Sequence, residues 1–176
     1  MLNDMFNAFD ALCDKHGVAK VEIIGDGYLC VCGHRPGFEN HPDRMLSMAL
    51  DMIAAVRRIA NPLEDSMHEH IEIRVGINTG PLSGGIVGEK LPKWTVFGNT
   101  VNIASRMESG SLPMNIMVTK ETCLRITTGV EFIKVPARFV KGIGKMRSYA
   151  VKSQTTDYEA VYSMIEDLEA AVELQT

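Results

Sequence analysis

No apolar run in this 176-residue chain approaches the length that spans a bilayer, since a helical crossing needs about 20 consecutive apolar residues. Direct membrane insertion is therefore not expected, and no secretory leader pattern is legible. Clustered Lys and Arg are also lacking, and the net charge is −4, so nucleic acid is not an expected partner. The four cysteines, Cys13, Cys30, Cys32 and Cys123, have neither disulfide-framework nor paired zinc-knuckle spacing. That favours a reducing, intracellular setting. Repeats, low-complexity tracts and interior linkers are missing too. The glycine-rich stretch Gly80–Gly88 lacks a phosphate-loop ending, because Glu89 separates Gly88 from Lys90 and no hydroxyl residue follows. It reads as a turn between strands.

What is present is the composition of a globular protein, 45% hydrophobic with 23% charged residues, long enough for one domain with a real core and too short for two ordinary ones. Leu2, Met5, Phe6, Phe9, Leu12 and Cys13 repeat at helical spacing, and Gly17 supplies a stop. Lys20–Gly33 reads as a β-hairpin turning at Gly25-Asp26-Gly27. Pro42 opens a second helix, which runs to Asn61-Pro62. Ile71–Thr79 alternates as a half-buried strand, and His68 and His70 beside it lack the further ligands zinc requires. A strand over 93–97, a helix, a strand over 115–118, a short helix near 121–126 and strands over 131–139 and 147–151 follow. The chain closes on an amphipathic helix opened by a capping box of Thr156 and Glu159, with Tyr158, Val161, Tyr162, Ile165, Leu168 and Val172 on one face. Alternating strand and helix signals with hairpins predict an α+β sandwich, helices on a mostly antiparallel sheet.

Three stretches carry chemistry. In Phe97-Gly98-Asn99-Thr100-Val101-Asn102-Ile103-Ala104-Ser105-Arg106-Met107-Glu108-Ser109 a glycine turn leads into a short helix capped by Asn99 or Thr100. Asn102 and Arg106 lie one helical turn apart, so a carboxamide and a guanidinium leave the same face, donors suited to a ribose and a phosphate. Asp26 sits between glycines, where turn chemistry alone also explains it. Val140-Lys141-Gly142-Ile143-Gly144-Lys145 is a basic glycine loop, either a hairpin connection or a lysine presented to phosphate.

The helix stretch resembles the N-T-V-N-x-A-S-R-M-E segment of the class III nucleotidyl cyclases, the adenylyl and guanylyl cyclases. Two further blocks agree in order, Lys20-Val-Glu-Ile-Ile-Gly-Asp-Gly-Tyr28 and Val140-Lys-Gly-Ile-Gly-Lys-Met-Arg-Ser-Tyr149, so the similarity spans Leu2 to about Val151. The resemblance implies a ferredoxin-like domain over 1–151, with 152–176 a helix packed on it. It implies head-to-tail pairing, as homodimer or heterodimer, with active sites at the interface. The implied reaction is attack of the ribose 3′ oxygen on the α-phosphate with loss of pyrophosphate, assisted by two divalent ions, Mg²⁺ or Mn²⁺. By position, Asp26 matches a metal-binding aspartate and Asn102 the residue that orients the ribose. Arg106 matches the residue that stabilises charge on the α-phosphate, and Lys90 and Lys141 match triphosphate-binding residues.

Glu22 and Thr95 occupy the family's base-selecting positions. A carboxylate accepts from guanine N1–H and the exocyclic amine, whereas adenine has no N1 donor, so Glu22 argues for GTP. Thr95 and Asn99 depart from residues common in the guanylyl branch, and ATP is the alternative substrate. The family's F-x-D-I-x-G-F strand, which supplies the other metal aspartate, has no counterpart in these residues, and Asp26 alone would leave most of a cation's coordination to water. The resemblance thus implies either a guanylyl cyclase catalytic domain lacking its first strand or a non-catalytic homologous subunit that completes a heterodimer. In either case it implies an intracellular domain, cytoplasmic or the cytoplasmic part of a larger receptor or sensor.

Overall fold

The computed structural model describes residues 2–59, 71–140, 142–153 and 156–173. Helix α1 (Leu2–His16) buries Met5, Phe9 and Cys13, four residues apart along one stripe. Strands β1 (Ala19–Ile24) and β2 (Gly27–Val31) form the expected hairpin, Ile24 opposite Gly27 across the Gly25-Asp26 turn. Helix α2 (His41–Val56) has Pro42 in its first turn. It ends five residues short of the expected Asn61-Pro62, which lies outside the described residues, as do His68 and His70.

Strand β3 (Val75–Ile77) is shorter than the alternating stretch that announced it, and it pairs in parallel with β6 (Ile116–Thr119). The stretch expected to be a glycine turn is instead largely a strand. β4 (Ser83–Val87) pairs antiparallel with β5 (Lys93–Phe97), Gly84 opposite Val96 and Gly85 opposite Thr95. The Trp94 ring explains this use of glycine, since a Cβ at Gly84 would come within 3.3 Å of it.

Helices α3 (Asn99–Ser109) and α4 (Lys120–Arg125) follow β5 and β6. Strands β7 (Phe132–Val140) and β8 (Gly144–Val151) complete a four-stranded sheet of order β3-β6-β8-β7, antiparallel except for β3-β6. All four residues of β6 are buried, because both faces of this strand are covered. Ile116 and Val118 pack with Ile77, Val151 and the Leu46, Ala49 and Ile53 stripe of α2. Met117 faces the other way, onto Met107 of α3, Ile133 and Val135 of β7, and Val161 of the last helix, α5 (Tyr158–Glu173). The opposite stripe of α2, Met48, Met52 and Val56, packs on α1. Helices thus flank a mostly antiparallel sheet, the expected α+β sandwich.

At the start of α5 the expected capping box is not formed. The Thr156 hydroxyl donates to the Val151 carbonyl at 2.9 Å, and Asp157 caps the helix by accepting from the Ala160 amide at 3.0 Å. Tyr158 and Tyr162 lie exposed, and Val161, Met164, Ile165 and Leu168 form the packed stripe. The side chain of Val172 lies outside the described residues.

Candidate active site

Period-two alternation along β5 puts Lys93 and Thr95 on one face and buries Val96 on the other. Val96 packs with Val21 and Val31 of the hairpin, and this contact brings β1 alongside β5. Glu22 then meets both side chains. Lys93 Nζ donates to Glu22 Oε2 at 2.5 Å, and Thr95 Oγ1 donates to Oε1 at 3.3 Å. The Lys93 hydrogen bond, against a smaller opposing effect of burial, holds the Glu22 carboxyl below the ordinary glutamate range. The two residues expected to select the base are therefore in contact. The sequence did not single out Lys93, although its two-residue offset from Thr95 was a usable signal.

After β5 the chain turns at Gly98, whose φ of 131° suits glycine, and enters α3. Neither Asn99 nor Thr100 caps this helix as expected. Gly98 is the N-cap, with no side-chain bond, and the Thr100 hydroxyl donates to the Pro81 carbonyl. Met107 is wholly buried beneath α3, and Asn102 and Arg106 stand exposed one turn apart on its outer side. The helix is held from below. Asn78 Nδ2 donates to the Thr100 carbonyl at 3.0 Å, while Asn78 Oδ1 accepts from the Thr119 hydroxyl at 2.8 Å. Gly76 of β3 lies directly under the helix, where a Cβ would fall 2.0 Å from the Glu108 nitrogen and 2.4 Å from the Ala104 oxygen. Nothing in the sequence flagged Asn78 or Gly76, because their importance lies in what crosses above them.

Asp26 is exposed at the tip of the β1–β2 hairpin, and Lys90 is exposed on the β4–β5 turn. No hydrogen bond or ion pair among the described residues ties either to Glu22, Asn102 or Arg106. Lys141 lies outside the described residues. Among those described, no group of three or more His, Cys, Asp or Glu side chains is placed to hold a metal ion. Asp26 by itself fits a single carboxylate contact and not a two-ion cage.

Residues 1–153 match the family described as the adenylate and guanylate cyclase catalytic domain. The chain is 43% identical over 151 residues to the guanylate cyclase soluble subunit beta-2 of Rattus norvegicus, a match covering 85% of this chain and 22% of that relative. It therefore spans under a quarter of the length of that curated relative. Among solved structures it is similar to the guanylate cyclase domain of RhGC from Catenaria anguillulae in complex with GTP. The TM-score there is 0.79 at 38% identity, over 86% of this chain and 81% of that one. The adenylyl cyclase CyaB from P. aeruginosa is also similar, with a TM-score of 0.76 at 26% identity over 89% and 82% of the two chains.

Proposed function

The chain belongs to the adenylate and guanylate cyclase catalytic domain family, and on that premise we propose that it is a guanylyl cyclase catalytic domain, converting GTP to cyclic GMP and pyrophosphate. The observation that carries the choice of GTP is the Glu22 carboxylate, fixed by Lys93 and Thr95. Held ionised, it offers acceptors to guanine N1–H and the exocyclic amine. Adenine, with no proton on N1, offers no donor there, so the hydrogen bonds that guanine makes to this carboxylate would be lost.

Asn102 orients the ribose so that its 3′ oxygen lies in line with the α-phosphate. A bond forms from that oxygen to phosphorus as the bond to the bridging oxygen of the β-phosphate breaks, the hydroxyl proton is lost, and pyrophosphate leaves. Arg106, exposed and one turn from Asn102, neutralises charge gathering on the α-phosphate. Lys90 and Lys141 hold the phosphate chain. Mg²⁺ or Mn²⁺ would supply charge neutralisation at the phosphates when bound, but Asp26 alone does not make a two-ion site.

The apolar surface of the β4–β5 ladder supports head-to-tail pairing with a second cyclase domain. Ile86 is 74% exposed, Leu91 87% and Phe97 50%, large apolar side chains that a partner domain would cover. The single carboxylate at Asp26 favours a second reading, a subunit that supplies the base and phosphate side of a site shared with a partner carrying the metal ligands. Cyclic nucleotide formed by the purified chain with Mn²⁺ and either GTP or ATP tests both. Cyclic GMP is expected. Cyclic AMP would overturn the Glu22 argument, and no product by the chain alone, with turnover restored by a second cyclase domain, would establish the subunit reading.

A further inference from the structure

Arg138 near the end of β7 lies under the C-terminal turn of α3. Its guanidinium occupies the space a side chain at position 110 would need, since a Cβ built on Gly110 would fall 1.3 Å from Arg138 Nη2. The Arg138 charge is half-buried, and desolvation pulls it below the ordinary arginine range without making it neutral at physiological pH. Among the described residues it has no carboxylate partner and makes no hydrogen bond. A half-buried guanidinium with N–H donors left over, facing an open cleft, is suited to an anionic partner.

Arg138 opens onto a cleft that it shares with Arg106. The cleft is shallow and open to solvent, about 220 Å³ in volume, and is lined by Arg106, Ser109, Gly110, Arg138, Phe139 and Val140. Two guanidiniums line it and no acid does. Each presents a planar fork of donors matched to phosphate oxygens. In sequence the next residue after Val140 is Lys141, which adds to the positive charge of this stretch of chain.

We propose that this cleft binds a polyphosphate oxyanion, with Arg138 a phosphate-binding residue alongside Arg106. Identification of that anion with the phosphate chain of the nucleotide or the pyrophosphate it releases rests on the cyclase reading. The cationic cleft itself does not. Its occupant would compensate the Arg138 charge and hold the departing phosphates on the side of α3 where Arg106 meets the α-phosphate.

Calorimetric titration of the full chain with inorganic pyrophosphate tests the proposal without requiring turnover, so a chain that makes no cyclic nucleotide can still confirm or refute it. Wild type is expected to bind pyrophosphate, and Arg138→Met to bind it about tenfold or more weakly, the weight of one charge-assisted hydrogen-bonding group. Arg138→Lys, which keeps the charge and loses the fork, is expected to fall between them. A merely structural role would lower the melting temperature and leave affinity unmoved. Removal of a desolvated charge predicts the reverse, an unchanged or raised melting temperature with weakened binding. Parallel titration with a non-hydrolysable GTP analogue separates the sources. Weakening of both ligands assigns the cleft to the nucleotide's phosphate chain, and weakening of pyrophosphate alone assigns it to the free product. No pyrophosphate binding by wild type, or equal affinity in wild type, Arg138→Met and Arg138→Lys, would overturn the proposal.

Discussion

Gly76→Ala places one methyl group under the helix that carries Asn102 and Arg106. The Cβ would lie 2.0 Å from the Glu108 nitrogen, 2.4 Å from the Ala104 oxygen and 2.7 Å from the Glu108 Cα. All three are backbone atoms of α3, so no rotamer change relieves the overlap. Normal contact requires the helix to retreat by about 1 Å or more. Met107 opposes that movement from within the core it shares with Met117, Val135 and Val161, as do the Asn78 bond to Thr100 and the Thr100 bond to Pro81. Overpacking of this kind costs about 1–3 kcal/mol. For a chain of this size that is a drop of roughly 2–4 °C in melting temperature per kcal/mol.

The consequence for the site is disproportionate to the stability lost. Displacing a catalytic constellation by about 1 Å costs on the order of a hundredfold in rate, and the proposed ribose- and phosphate-binding pair, Asn102 and Arg106, rides on the displaced helix. The expected result for Gly76→Ala is therefore a folded protein with a modestly lower melting temperature, faster amide hydrogen exchange across α3, and cyclic nucleotide formation reduced about a hundredfold. Calorimetry and exchange test the packing independently of turnover. A variant with wild-type melting temperature and wild-type exchange in α3 would refute the claim that β3 sets the height of this helix.

Lys93→Met removes the chief influence holding the Glu22 carboxyl down, so the Glu22 pKa rises toward the ordinary glutamate value. The KM for GTP should then climb at a higher pH on acidification than in wild type, with kcat less affected, as a pH series of initial rates would show. Glu22→Lys replaces acceptors with donors and should depress cyclic GMP formation while sparing or raising that from ATP, measured as a ratio of products. Asp43, nearly buried, accepts from the Thr127 amide at 2.7 Å, the Thr127 hydroxyl at 2.8 Å and the Thr128 amide at 3.2 Å. Asp43→Ala should cost about 2–3 kcal/mol in urea unfolding by leaving these donors unpaired. Burial pushes the Asp43 carboxyl up, but the threonine donors prevail and its pKa is lowered. Its stabilisation is thus present above the unfolded-state value near 3.8 and lost as pH falls through the lower folded-state value. Asp43→Ala should remove that part of the acid sensitivity.

The elements most legible in the sequence were those whose signal is local. The stripe of Met5, Phe9 and Cys13, the Gly25-Asp26 turn and the exposed pair Asn102 and Arg106 follow from spacing and turn chemistry alone. β4 was misread because glycine weakens a strand in isolation, and its compensation, the Trp94 ring, comes from the partner strand. The α5 cap was misplaced by one residue because the Thr156 hydroxyl is drawn away to Val151, a contact made only once β8 is in place. Gly76, Gly110 and Arg138 share one reason for going unnoticed: each is defined by what α3 does above it, and no periodicity reports a crossing. Lys93 went unnoticed because an exposed lysine on a short strand is ordinary until the hairpin brings Glu22 to it.

The division of the strands explains how one site joins two separable tasks. Glu22, Lys93 and Thr95 belong to the hairpin and the β4–β5 ladder, neither of which is hydrogen-bonded as a strand into the four-stranded sheet. Asn102 and Arg106 belong to a helix seated on that sheet through Gly76, Asn78 and Met107. The joint between the two is short. Gly98 turns the chain from β5 into α3, and Val101, on the first turn of the helix, packs against the Val21, Val31 and Val96 cluster that holds the hairpin to β5. Changes at Glu22, Lys93 and Thr95 therefore leave the seat of Arg106 intact, whereas changes beneath α3 move Asn102 and Arg106, the proposed ribose and phosphate groups, together. On the proposed roles, a domain built this way can exchange one base for another by altering Glu22, Lys93 and Thr95, with Asn102 and Arg106 held in place by a helix that those three side chains do not support.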